Sequence, residues 1–110
     1  MHHLLFRQEA IAEITDIGGE FPTYEGRLHW LPALQNHPLV VRFVAYSVRV
    51  WPLILADDLA NPAIAEQTEY EPISARGLWH LRKDQGREEC ITIPIFTSDG
   101  FAMWRDDIDG

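Results

Sequence analysis

Two turns, Lys83-Asp84-Gln85-Gly86-Arg87 and Ser98-Asp99-Gly100-Phe101, cut the last third of the chain into three strand-like runs, and the reading of this stretch decides the fold. In the first turn Gly86 suits the left-handed position of a three-residue hairpin loop, a register that sets Trp79 opposite Ile91, His80 opposite Cys90 and Arg82 opposite Glu88. The Asp-Gly of the second turn suits a two-residue loop, which pairs Ile95 with Trp104. The result is a three-stranded β-meander with Trp79, Leu81, Ile91, Ile93 and Ile95 on one buried face. Opposite-charge and aromatic–aliphatic cross-strand pairs of this kind contribute roughly 0.2–1 kcal/mol each. The other face carries His80, Cys90, Thr92, Phe96, Phe101 and Met103, a mixture suited to a helix, a second subunit or a ligand. Pro94 sits in the middle run, where its missing N–H calls for a bulge or an unpaired neighbour.

Working back toward the N-terminus, Asn61-Pro62 and Asn36-His37-Pro38 both read as a capping residue close to a proline welcome in a first helical turn. The first predicts a short helix over Pro62 to Thr68. The second opens a long helix over Leu39 to Leu55, whose Val40, Phe43, Val44, Ser47, Val48 and Trp51 follow 3-and-4 spacing. Its β-branched residues favour a strand, but the run is long for one, and Pro52 must kink or end it. Gly26 to Leu31 reads as a short strand ended by Pro32, and Gly18-Gly19 with Phe21-Pro22 as a break and irregular loop. Residues 4–15 fit helix or strand, with a lean to strand. The fold class expected is α+β: a curved antiparallel sheet, the C-terminal meander plus one or two N-terminal strands, packed on a long central helix and a short second one.

The 110 residues suffice for one core, and a single domain ordered over about 4–106 is expected. The formal net charge is −8. A lone lysine, Lys83, and scattered arginines draw no basic stripe, which argues against general nucleic-acid binding. Between Arg49 and Arg76 every charged residue is acidic: Asp57, Asp58, Glu66, Glu69 and Glu71. A single cysteine excludes an intramolecular disulfide, the N-terminus has no signal-peptide pattern, and the chain is expected in the cytoplasm. The apolar run from Leu39 to Ala60 holds Arg42, Arg49, Pro52, Asp57 and Asp58, so no membrane association is expected.

Candidate chemistry is sparse. His80 beside Cys90 is the minimal arrangement for an activated thiolate, against which stands the ordinary burial of cysteine and the lack of a third orienting group. Asp57-Asp58 with Asn61 lacks the convergence a divalent cation needs, and the five histidines have no ligand spacing, so neither metal nor other cofactor is expected. His80, Cys90, Phe96, Phe101 and Met103 are the residues to line a ligand pocket, if one exists between sheet and helix. Trp51, Asp57, Asp58, Glu66, Glu69 and Trp104 are those to meet a partner. The expectation is a non-enzymatic interaction module, a homodimer or the partner of another protein, with a small-molecule-binding domain or minor hydrolase as the alternative.

Overall fold

The computed structural model describes residues 1–107. The strands are β1 (His2–Phe6), β2 (Glu9–Glu20), β3 (Thr23–Trp30), β4 (Trp79–Arg82), β5 (Glu88–Cys90), β6 (Ile95–Phe96) and β7 (Phe101–Arg105). They form one antiparallel sheet in the order β5-β4-β1-β2-β3-β7-β6, curled into a half-barrel, so the α+β class holds.

Residues 4–15 are a hairpin. Its turn residues, Arg7 and Gln8, have φ of 50° and 69°, the doubly left-handed geometry whose twist matches the flanking strands. Such turns favour Gly, Asn or Asp, and neither residue is one of these, which is why the sequence left this segment open. The Gly18-Gly19 pair, expected to break the chain, lies within β2 paired with Glu25 and Tyr24, and the register shift falls just before it at Asp16 and Ile17, with Asp16 at φ 53°. The break falls at Phe21-Pro22, a cis peptide that joins β2 to β3.

The C-terminal third departs from a meander in two ways. First, the middle run is two strands on opposite edges of the sheet. β5 pairs β4 in the expected register, His80 with Cys90 and Arg82 with Glu88, and Ile91 N–H bonds the Trp79 carbonyl at 3.1 Å. From there the chain leaves β4: Ile91 bridges Asp106, Thr92 N–H donates to the Arg105 carbonyl at 2.9 Å, and Asp107 N–H donates to the Cys90 carbonyl at 3.0 Å. These bonds join the end of the β5 edge to the end of β7. Pro94 is buried at the crossing, where its missing N–H withdraws nothing from a ladder. Second, Ile95 pairs with Met103 and not with Trp104, because the second turn is a three-residue loop, Ser98-Asp99-Gly100, with Gly100 at φ 84°. That single residue moves Phe96 from the expected mixed face into the core, as a one-residue slip in a pleated strand must.

Helix α1 (Pro38–Leu55) starts after a 3₁₀ turn at Pro32–Asn36 and runs through Pro52 to its end. Of the expected stripe only Val40 and Ser47 are buried; Tyr46 and Val50, outside it, are buried with them, while Phe43, Val44, Val48 and Trp51 are half-buried, and the helix packs along β6. The residue flanking its start is His37, without a side-chain cap, while Asn36 instead donates to Glu9 at 3.4 Å. At its other end Asp57, at φ 60°, closes a Schellman motif: Asp57 N–H bonds the Ile54 carbonyl and Asp58 N–H the Leu53 carbonyl. The second cap behaves as predicted, Asn61 Oδ1 accepting from Ala63 N–H at 3.0 Å. The short helix there is α2 (Pro62–Ala65), continued by a 3₁₀ turn at Glu66–Tyr70 and by α3 (Glu71–Ser74). The core joins both layers: Phe96 lies 6.0 Å from Phe43 of α1, 6.4 Å from Trp79 and 5.5 Å from Trp30, ring to ring.

Candidate functional site

α1 carries more apolar positions than one core-facing stripe requires. Only 22% of it is buried, and by length and composition it is the one helix among the described residues able to cross a membrane. Its last two turns form an exposed ridge. Ile54 and Leu55 project from it, Leu55 at 68% exposure, and Leu59 just beyond is 60% exposed.

A hollow lies on each flank of this ridge. On one side a cleft of about 370 Å³ opens between α1, the 62–74 segment and residues 93–95, lined by Tyr46, Val50, Trp51, Ile54, Ile64, Tyr70 and Ile93, with Gln67, Thr68, Glu71 and Ser74 among its polar groups. On the other, a hollow of about 490 Å³ is lined by Val48, Trp51, Pro52 and Leu55 of α1, by Phe101 and Met103 of β7, and by Glu25 and Asp99. Trp51 lines both.

The cleft wall is held by polar bonds that sequence alone does not reveal. Tyr46 Oη donates to the Ile64 carbonyl at 2.9 Å and so ties α2 to α1. Burial, followed by the nearby Glu66 and Tyr70, pushes the Tyr46 phenol above its ordinary range, with Arg49 opposing. Arg49 reaches Glu66 at 3.2 Å and Arg42 reaches Glu69 at 3.1 Å. Both pairs are exposed, a setting in which such bridges contribute about 0–1 kcal/mol.

The partner-surface candidates therefore divide. Trp51 is half-buried beside the ridge and lines both hollows. Glu66 and Glu69 spend their charge on the arginines of α1, while Asp57 and Asp58 flank the ridge, Asp58 accepting from the Asn61 amide at 3.1 Å. Trp104 is no surface residue: at 3% exposure it is part of the core, on the same face of β7 as the fully buried Ala102.

The five pocket candidates are not brought together. Phe96 is in the core, Phe101 and Met103 line the second hollow, and His80 and Cys90 are neighbours elsewhere, between β4 and β5. The Cys90 thiol faces the Asp107 carboxylate at 3.9 Å, and His80 Nδ1 faces the Gln8 amide at 3.5 Å. Among the described residues no three His, Cys, Asp or Glu side chains converge as ligands for a metal ion.

Ile54, Leu55, Leu59, Ile64 and Tyr70 were absent from the sequence-based candidates. Their signal is the surplus of apolar residues around α1, since a helix apolar beyond one face needs a second surface to cover it. No family model, curated protein or solved structure matches the chain.

Proposed function

We propose that this protein is a binding module that receives an apolar, basic segment of another protein, such as an amphipathic helix with Lys or Arg on its flanks, along the ridge formed by the end of α1. The observation that carries this reading is the ridge itself: Ile54 and Leu55 stand exposed at the end of an apolar helix and Leu59 just beyond it, with the half-buried Trp51 lining the hollow on either side. Contiguous apolar surface of this kind on a folded domain marks an interaction site, and an apolar ridge flanked by two hollows fits a helical segment better than a compact metabolite.

Charge selects the occupant. Glu25, Asp57, Asp58, Glu71 and Asp99 have no ion-pair partner among the described residues, and they lie in the lining of the hollows or in the segment that follows the ridge. Over residues 38–75 five carboxylates stand against two guanidiniums, and both guanidiniums are already paired. A second copy of the chain related by a two-fold axis presents the same acidic rim to itself, whereas a basic segment gains from it.

The test is a calorimetric titration with an 18-residue helical peptide of leucine and lysine, against its leucine and glutamate counterpart. The expected result is saturable binding of the lysine peptide only, weakened by salt and reduced about tenfold or more by Ile54→Gln combined with Leu55→Gln. These positions are exposed, so the double variant keeps its fold. Equal binding of both peptides, no binding of either, a concentration-dependent dimer blocked by the same variant, or partition of the protein into uncharged lipid vesicles each overturns the proposal.

A further inference from the structure

The open mouth of the half-barrel holds a cavity of about 110 Å³ that shares no lining residue with the ridge or its two hollows. Six strands reach it: His2 comes from β1, Ile17 from β2, Tyr24 from β3, Leu81 from β4, Glu89 from β5 and Trp104 from β7, and Lys83 and Asp106 extend from the ends of β4 and β7. A water occupies about 30 Å³ of liquid, so the space admits a molecule of about four heavy atoms. The mouths of curled sheets are common ligand sites, since strands converging from all sides bring polar groups to one point.

We propose that this mouth binds a small primary ammonium compound bearing a neighbouring hydroxyl, an amino alcohol in chemical class. Two carboxylates, Glu89 and Asp106, line the cavity with one lysine. Lys83 bonds Glu89 at 3.0 Å, and Asp106 forms no ion pair of its own among the described residues, with Lys83 acting on it only as a nearby charge. The Asp106 carboxyl is pushed above the usual carboxylate range by burial and then by Glu89, the condition an ammonium group relieves. His2 does not supply that cation, because burial and then the neighbouring ammonium groups hold its imidazole below the ordinary value.

The second observation is independent of charge. Trp104 is 3% exposed, stacks on Tyr24 with ring centres 6.4 Å apart, and its buried indole N–H has no acceptor among the described residues. A buried donor left unbonded is costly, so this donor beside a carboxylate with no ion pair suits a ligand with both an acceptor and a cation. The aromatic pair adds a face on which an ammonium group rests favourably.

The four tryptophans give four indole N–H signals by NMR, and a Trp104→Phe variant identifies the relevant one. Titration of the full chain with ethanolamine is expected to move that signal saturably while the other three stay in place. Ethylene glycol, which lacks the ammonium group, and acetate, which carries the opposite charge, are expected to leave it unmoved. Asp106→Asn keeps the shape and the fold and is expected to weaken ethanolamine about tenfold or more, the loss of one charged hydrogen bond. An unmoved Trp104 signal, an equal response to acetate or ethylene glycol, or undiminished binding by Asp106→Asn overturns the proposal. None of these outcomes bears on the ridge, which shares no residue with this site.

Discussion

Ser47 of α1 serves the backbone of Phe96 twice, its hydroxyl accepting from the Phe96 N–H at 2.7 Å and donating to the Phe96 carbonyl at 3.1 Å. Both groups lie on the side of β6 that has no strand beside it, so one buried side chain substitutes for the next strand of the sheet and fixes the helix to its edge. The substitution Ser47→Ala strands a buried donor and a buried acceptor together. A loss of about 2 kcal/mol is expected, read as a lower midpoint in urea with little change of slope.

Gly26 of β3 has no room for a side chain, because a Cβ there would stand 2.4 Å from Ile14 Cγ2. Gly26→Ala forces the Ile14 side chain or the strand to move, and a loss of about 1–3 kcal/mol is expected. Gly18, on the neighbouring strand, is the control: a Cβ there meets nothing within 4 Å, and Gly18→Ala is expected to stay within about 0.5 kcal/mol of the parent. Thermal unfolding of the two variants side by side checks the contrast.

The left-handed Asp57 that closes α1 gives a third expectation. Glycine takes this backbone conformation at no steric cost, partly offset by its greater freedom when unfolded, so Asp57→Gly is expected to gain about 0.5 kcal/mol. Asp57→Val places a β-branched residue where it is a steric outlier, and a loss of about 1 kcal/mol or more is expected. Equal stability of the two variants would show that the helix does not end in this motif.

Asp106 gives a pH signature. Its folded-state pKa is raised above the unfolded one, so the folded chain holds its proton more tightly and stability from this group falls as pH rises through that window. Replacing it by a group that never ionises removes the loss. Asp106→Asn is expected to raise the unfolding temperature at pH 7 and to bring the variant and parent curves together below pH 4, the ordinary range of an aspartate.

Most of the secondary structure was legible because the local chemistry was strong. Gly86 fixed one hairpin register, Asn61-Pro62 marked a helix start that the structure places to the residue, and the 3-and-4 spacing outvoted β-branching in α1. What failed depended on partners distant in sequence or on turns with atypical residues. Arg7-Gln8 hid a hairpin, and Asp99-Gly100 suited a two-residue loop when the chain uses three. Pro94 signalled trouble in the middle run, but that the run divides between the two sheet edges follows from sheet closure, which no local pattern records.

The candidate site was less legible for a physical reason. Trp51 was named from residue type and Phe101 and Met103 from strand alternation, yet exposure of Leu55 and burial of Trp104 are decided by tertiary packing. The acidic run was visible, but not that Glu66 and Glu69 are absorbed by Arg49 and Arg42.

The measurement that bears most directly on the ridge is an NMR titration of the labelled protein with the leucine–lysine helical peptide, followed through amide and methyl shifts. The account predicts saturable shifts at Val50, Trp51, Ile54, Leu55 and Ile64, with Leu4, Ile11 and Ile91 in the barrel core unmoved. Shifts scattered over the sheet, or none at all at peptide concentrations well above the protein, would contradict it.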